Sequence, residues 1–490
     1  MVDVIVIGAG TSGLAAADAL LKLGLDTLVL EARPRAGGDI RTIEVKDFLF
    51  ETGPWAVRAD DPSFEELVRG LGMEQRVVRS DSHAARWYAL KDETLWPVPR
   101  SASELLRSPL LSLRGRLRAL AEPVLVGREE LEGGARESDL RGFLIRRLGD
   151  EAGELYAELL ARSTHGSTAD ALGTESAFPT LVRRAEERMG VVGDLLSGDG
   201  TTRDDVLSFH GGLSALVDAL TRSLGRHLSL SSPVAELQRG AGGWRVTLES
   251  GESLSAGQIV LAVPAVAAYP LLAMCAPERL ELDELREVEH ERITNVHLGL
   301  DGVSLLPGRG IVTAPGQRSK DRGEPSALLG AVFHSNLFPG RAPSGTAAVS
   351  CSYRAEDVVD VAEAALPERA LRDLVQAVVP AHAGSPCNVV AWYVRTLEVP
   401  RLGVGHAARM ERVVARVQRA LPGLHLTGSF LGGIEVASRV MHARGTAALA
   451  LELVQRRPGV IHKASPRGSA AGTTDYGAQP EHPSPAEPGR

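Results

Sequence analysis

The sequence predicts an α/β chain: a discontinuous domain built on a parallel sheet, an α+β second domain, and an inserted, mostly helical subdomain. Three observations predict it. The chain opens on a β-branched run that passes through a glycine turn into an alanine-rich helical pattern. Strand and helix signals of the same kind return after residue 207 and again after 401. Between them, helical leucine/arginine periodicity gives way to alternating strands. On this reading 1–86, 207–282 and 401–457 make the first domain, 87–206 the helical subdomain, and 283–400 the antiparallel-sheet domain.

The opening stretch, VIVIGAGTSGLAAADAL, carries the most information. Val4 to Ile7 reads as a fully buried parallel strand and Leu14 to Leu23 as the helix after it. Gly8 suits the tight turn, Gly10 a close approach of the backbone to a pyrophosphate, and Gly13 close helix–strand packing. The phosphate would then meet unpaired N–H groups at the helix N-terminus, around Thr11 and Ser12. A second strand, Thr27 to Leu30, ends in Glu31, 18 residues past Gly13, where a ribose hydroxyl needs an acceptor. Together these features read as a Rossmann-type dinucleotide unit rather than an unrelated glycine turn.

Downstream, SFHGGLSALVDALTRSLG has helical spacing after a glycine turn, and the strands HLSLSSPVAELQRG, GWRVTLESG and QIVLAVPA follow. In the helical subdomain, residues 105–127 set recurring leucines against Arg107, Arg114, Arg116 and Arg118. That pattern suits an interfacial helix pair in peripheral membrane contact, and equally a solvated helix packed on its own domain. ITNVHLGLD, SALLGAVFHS, TAAVSCSYR and NVVAWYVRT read as antiparallel strands. Near the end, LPGLHLTGS followed by a long helical pattern forms a strand, a turn at Gly428 and a helix whose N-terminus can face an anion. Residues 463–490, with five prolines, four glycines and no Leu, Ile, Val or Phe, are expected to be disordered.

Composition sets the remaining bounds. A chain of 490 residues, 44% hydrophobic, can bury a large core, and a net charge of −8 argues against a general nucleic-acid binder. Cys275, Cys351 and Cys387 are too scattered for a disulfide framework or a metal site, so no metal is expected. Neither a signal peptide nor an apolar run long enough to span a bilayer is read in the sequence, which places the expected protein in the cytoplasm.

The segment after Glu31, EARPRAGGDIRT, resembles the GG-doublet flavoproteins, a superfamily of amine oxidases, phytoene desaturases and protoporphyrinogen oxidases. The resemblance implies FAD. Glu31 would bind the adenosine ribose, Ala32, Arg33, Gly37 and Gly38 would lie along the cofactor, and Val234 would hold the adenine edge through its backbone. Within the superfamily the order of segments resembles the protoporphyrinogen oxidases, through FETGPWAV (Glu51, Gly53, Pro54), ARWYAL, LWPVPR, DLRGFLIRRLGDEAGE, LLGAVFHSNLFPGRAP and VPRLGVGHAARMERV. That implies flavin-dependent removal of hydrides from a tetrapyrrole, with O₂ or another acceptor regenerating the flavin. No catalytic side chain is implied, because the flavin carries the chemistry. By position Arg86 matches the arginine that binds a substrate propionate, with a strand arginine paired to Glu93 as the plainer alternative.

Three departures fall at the site. Trp55 follows the G-P turn where the family has asparagine or arginine, and would touch both cofactor and substrate. Ser163–Thr168 replaces a GxYxGD stretch, leaving His165 as a pocket residue or a structural histidine. Ile434 and Glu435 stand where the family keeps a glycine-rich segment beside the flavin; a carboxylate there would oppose charge on a reduced flavin unless it turns away or pairs with Arg439. Two other readings follow: an FAD-dependent amine or amino-acid oxidase, disfavoured by only 4% aromatic residues, and a related flavoprotein that has lost turnover.

Overall fold

The computed structural model describes residues 1–455 apart from 60, 82–83, 85, 92–93, 126–137, 189, 197–205, 241, 276–279, 314–326 and 379–386. The expected disordered tail, 463–490, lies outside the described residues.

A mixed sheet of seven strands carries the first glycine turn. Its order is Leu228–Ser229, Thr27–Leu30, Val2–Ile7, Ser253–Leu261, Gly243–Leu248 and Val234–Gly240, with Leu424–Leu426 paired to the end of Ser253–Leu261. The strands around Val2–Ile7 run parallel, and the hairpin Val234–Leu248 is antiparallel. Val4, Ile5 and Val6 are wholly buried because both faces are covered. Helices Thr11–Lys22, Ser214–Leu224 and Val436–Gln455 pack on one face, while Ala265–Cys275 and His406–Ala420 pack on the other. The expected strand from 227 to 240 is two short ones, Leu228–Ser229 and Val234–Gly240, parted by a turn in which Ser231 has φ +51°.

A second sheet of seven strands has the order Asn388–Pro400, His290–Asp301, Thr346–Arg354, Leu328–Phe333, Gly310–Thr313, Trp87–Lys91 and Thr94–Pro97. One face packs its Val296, Leu298, Val349, Cys351 and Tyr353 against the helix Leu366–Val378. The opposite face bears Asn295, His297, Ser350 and Ser352, which alternate with those residues along the strands. The subdomain expected to be mostly helical over 87–206 gives its first residues to this sheet: Trp87–Lys91 and Thr94–Pro97 pair antiparallel at its edge, with Trp87 pairing in parallel with Gly310. Helices begin beyond it, at Ala102–Arg107, and Ser101, Ser112 and Asp139 accept the first-turn N–H groups of three of them. Buried Glu122 holds that bundle together: it meets Arg147 Nε at 2.8 Å and accepts the Val191 and Val192 N–H groups.

Candidate active site

Each glycine of the first turn has its own steric reason. Gly8 has φ +103°, and a Cβ there would lie 2.5 Å from the Ala262 carbonyl oxygen. A Cβ on Gly13 would fall 1.8 Å from the Gly8 oxygen, so helix and strand touch only because it is absent. At Gly10 a Cβ would meet no protein atom within 4 Å. Its turn faces open space, at the mouth of a helix that no side chain caps. Thr11 Oγ1 is buried beside it without a hydrogen-bond partner. An orphaned hydroxyl, an uncapped helix N-terminus and an unfilled glycine cradle are what a pyrophosphate requires. Ser12 is buried in the same first turn. Glu31, at the end of its strand, accepts from Ala9 N at 2.6 Å and from Arg33 N at 3.0 Å, which fixes its carboxylate beside that turn. Ala32 and Arg33 are exposed. Val234 opens its strand opposite Leu248, at a register irregularity.

The second glycine pair closes on the first turn. Gly10 bridges Gly37, whose N–H donates to the Ala9 oxygen at 2.8 Å, and a Cβ on Gly38 would sit 3.1 Å from the Gly10 Cα. Positive φ at Gly37 and Gly38 (+101° and +61°) makes glycine the suitable residue at both. Asp39 follows, and its carboxylate takes Arg439 from the last helix at 2.7 Å. Gly53 packs so closely that a Cβ would lie 2.0 Å from the Asp39 oxygen. Glu51, two residues earlier, is buried against Arg341 at 3.3 Å and accepts Leu213 N at 2.8 Å and Thr42 Oγ1 at 2.8 Å. Burial raises the Glu51 pKa against the opposing pull of Arg341, and burial likewise lowers that of Arg341.

The two sheets meet at this loop. Arg395, on the outer strand of the second sheet, donates to Thr52 Oγ1 at 2.5 Å and to the Asp39 oxygen at 3.3 Å. Close by in the sheet, His297 stacks on Phe50 and Tyr393, with ring centroids 5.6 and 6.3 Å away. Trp55, half-buried after the Gly53-Pro54 turn, meets the His334 ring edge-on at 6.2 Å and lies under the Arg309 guanidinium at 6.0 Å. The polar sheet face and its arginine were not singled out from sequence. The signal was present in the alternation of Asn295 and His297 with Val296 and Leu298, and of Ser350 and Ser352 with Val349 and Cys351.

The structure gives the two substrate candidates different surroundings. His165 ends the π-helical turn Ala161–His165, is 4% exposed, and packs on Phe178 with centroids 5.0 Å apart. Burial lowers its pKa to about 3, which makes it a neutral histidine in the interior. Arg86 is held by Glu104 at 2.9 Å, with about a third of its side chain (32%) exposed. Glu93, the partner expected for the plainer alternative, lies outside the described residues. At the C-terminal turn Gly428 has φ +151° and Gly433 +84°, Ile434 is half-buried, and Glu435 is exposed just before the helix Val436–Gln455.

The sequence pattern of the family described as flavin containing amine oxidoreductase matches residues 11–451. The chloroplastic protoporphyrinogen oxidase of Nicotiana tabacum is 28% identical over 474 residues, spanning 91% of this chain and 85% of that protein. Coproporphyrinogen III oxidase of Bacillus subtilis (strain 168) is 24% identical over 480 residues, spanning 91% of this chain and 97% of that protein. Among solved structures, a candidate protoporphyrinogen oxidase from Exiguobacterium sp. 255-15 superposes with a TM-score of 0.75 at 22% identity, covering 92% of this chain and 99% of that one. A putrescine oxidase variant superposes with a TM-score of 0.67 at 17% identity, covering 92% and 99%; at such identities both show the fold. With the glycine turns, the orphaned Thr11 hydroxyl and a family match across both sheets, the chain belongs to the flavin-containing amine oxidoreductases and is an FAD-dependent oxidoreductase.

Proposed function

We propose that this protein is a porphyrinogen oxidase, removing hydrides from a reduced tetrapyrrole, with O₂ or another small acceptor taking the electrons onward. The observation that carries this reading is the extent of the two named relatives: each aligns over 91% of this chain, so both sheets and the segment between them are matched together.

When bound, FAD supplies the hydride acceptor. The chain supplies the rest. Thr11, Ser12 and the first-turn N–H groups hold the pyrophosphate, Glu31 the ribose, and Val234 the adenine edge. Gly37, Gly38, Gly53, Pro54, Trp55 and the Gly428–Glu435 turn line the remainder of the cofactor. Arg86 takes a substrate carboxylate by paired donation, which requires it to share or leave Glu104. No strong base is needed at the carbon that loses hydride, because electron density from the pyrrole nitrogens assists its departure.

Membrane contact is a further part of this proposal. Leu113, Leu117, Val124 and Leu125 are each more than half exposed in the helices after Ser112. The basic face is smaller than the sequence pattern implies, since Arg116 and Arg118 donate to backbone carbonyls of Leu111, Leu106, Arg146 and Arg147. Among the described residues no helix is long and apolar enough to cross a membrane. On this reading the protein is cytoplasmic, with these leucines touching the membrane surface.

The test is an anaerobic titration of the purified flavoprotein with coproporphyrinogen, protoporphyrinogen and a panel of amines. Bleaching by a porphyrinogen and not by amines is expected. Bleaching by amines alone overturns the reading in favour of an amine oxidase.

A further inference from the structure

Across the middle of the second sheet runs one row of residues that the surrounding packing leaves open. From Ile293 to Leu300 every residue but Asn295 is buried, and from Ala347 to Tyr353 every residue but Ser352. Asn295 and Ser352 stand opposite each other in the register; half-buried Gly330 continues the row on one side and half-buried Arg395 on the other. The row lies on the face turned away from the helix Leu366–Val378. On that face its neighbours are covered. Phe50 stacks on His297, and a Cβ on Gly166 of the helical subdomain would press on the Ile293 side chain. Between them Arg395 reaches Thr52 Oγ1 and the Asp39 oxygen, in the turn and the loop proposed to line the cofactor. The opening is therefore bounded by the sheet, the cofactor loops and the helical subdomain, where a substrate would meet the flavin.

Charge and donor counting say what this opening suits. Both contacts of Arg395 use Nη1, so Nε and Nη2, one edge of the guanidinium fork, remain to donate. Among the described residues no carboxylate pairs with Arg395; the Asp39 carboxylate, in the same loop, gives both oxygens to Arg439. Burial, with Arg35 and Arg41 nearby, lowers the Arg395 pKa, as befits a cation short of a counter-ion. Asn295 Oδ1 accepts from Ser352 Oγ at 2.7 Å, which turns the amide NH₂ away from Ser352, toward the strand that carries Arg395. Among the described residues that NH₂ has no acceptor. Guanidinium edge and amide thus offer donors only. A half-buried charge in such a place costs free energy until an anion joins it, and a planar carboxylate matches the paired N–H groups.

We propose that Arg395 and Asn295 form a second carboxylate-binding subsite, set apart from Arg86, which selects a substrate bearing carboxylates on opposite edges. Arg395 Nε and Nη2 take the two oxygens, and Asn295 Nδ2 donates to one of them. Ser352 fixes the amide and does not touch the ligand. Arg86 directly precedes the strand Trp87–Lys91, which lies five strand spacings from Asn388–Pro400 in the same sheet, or roughly 24 Å. One carboxylate cannot meet both arginines. The identity of the substrate rests on the porphyrinogen reading. Within it, coproporphyrinogen carries a carboxyethyl arm on every pyrrole ring and can address both subsites. Protoporphyrinogen keeps its two arms on neighbouring rings and addresses one.

The test uses the full-length, FAD-loaded protein and reads binding apart from turnover. Coproporphyrin III and protoporphyrin IX, which are already oxidised, are titrated against wild type, Arg395→Gln and Asn295→Asp by porphyrin fluorescence. Asn295→Asp still accepts from Ser352 but sets a carboxylate beside Arg395, filling the subsite from within. We expect each variant to weaken coproporphyrin binding roughly tenfold to a hundredfold and to change protoporphyrin binding far less. Arg395→Lys, which keeps the charge without the fork, should recover part of the loss. With coproporphyrinogen as reductant, Asn295→Asp should raise KM more than it lowers kcat. Coproporphyrin bound equally by wild type and Asn295→Asp overturns the subsite, as does an equal loss of both porphyrins. FAD lost on dilution of Arg395→Gln, with porphyrin binding intact, also overturns it and gives the Arg395 charge to the cofactor. Should neither porphyrin bind the wild type, the porphyrinogen reading fails, and thermal melts with glutarate, adipate and suberate decide the subsite. A rise in the wild type that both Arg395→Gln and Asn295→Asp lose upholds it; no such difference overturns it.

Discussion

Arg439 Nη1 donates to both carboxylate oxygens of Asp39, at 2.7 and 2.9 Å, across 400 residues of sequence. Arg439 lies one turn into the last helix, and Asp39 directly follows the glycine pair that closes on the nucleotide turn. The pair therefore ties the C-terminal helix to the loop proposed to lie along the cofactor. Asp39→Ala leaves the Arg439 guanidinium, 8% exposed, with its main partner gone. Hydrogen bonds to charged groups contribute about 1.5–3 kcal/mol, and the partial exposure of Asp39 puts this one toward the low end. Weaker FAD retention, by roughly tenfold, is expected in a dilution assay of flavin fluorescence. Retention equal to wild type would show that the loop holds its place without the tie.

Gly10 and Gly13 make a paired prediction because their surroundings differ so sharply. A Cβ on Gly10 meets no protein atom, so Gly10→Val should leave the apoprotein stable and abolish yellow holoprotein. A Cβ on Gly13 would press on the Gly8 oxygen at 1.8 Å, and Gly13→Ala should destabilise the fold itself, by at least about 1–3 kcal/mol of overpacking. Thermal melts with and without added FAD separate the two. Normal FAD binding by Gly10→Val would remove the pyrophosphate from this turn.

The contrast between these glycines and the rest of the site explains what could be read from sequence. Gly13 answers a constraint set by the Gly8 oxygen of its own turn, and Glu31 closes on Ala9 and Arg33. The strands of the second sheet were legible as strands because alternation is local. What those strands face was not. Arg395 meets Asp39 and Glu51 meets Arg341 through contacts separated by about three hundred residues, and spacing carries no trace of such pairs. The Trp87–Pro97 hairpin joins the second sheet through Gly310, a pairing that only the folded chain discloses. His165 looked polar in sequence, yet the turn that ends at Gly166 carries it into the interior.

Glu104 and a substrate carboxylate compete for the Arg86 guanidinium under the proposed function. If Arg86 holds a substrate carboxylate, Arg86→Ala should raise KM by roughly tenfold to a hundredfold with little change in kcat, since the contact is remote from the departing hydride. Glu104→Gln should act in the opposite sense, lowering KM by freeing the guanidinium. Steady-state kinetics on a carboxylated porphyrinogen measures both. An unchanged KM in the two variants, with the fold intact, would make the 2.9 Å pair purely structural.

Glu435 offers the sharpest check on the flavin end of the site. It is exposed immediately before the helix Val436–Gln455, and the helix N-terminus there favours negative charge nearby. If the flavin lies against that turn as proposed, a carboxylate there offsets the positive helix end and repels the charge that a reduced flavin acquires. Glu435→Gly should therefore raise the two-electron midpoint potential and speed flavin reduction, while Glu435→Gln, which keeps the side chain and removes its charge, should reproduce most of the rise. A dye-equilibrated reductive titration of the three proteins at one pH gives the answer. Equal potentials would mean that the carboxylate turns away from the ring. A rise with Glu435→Gly alone would assign the effect to backbone freedom at the turn instead of to charge.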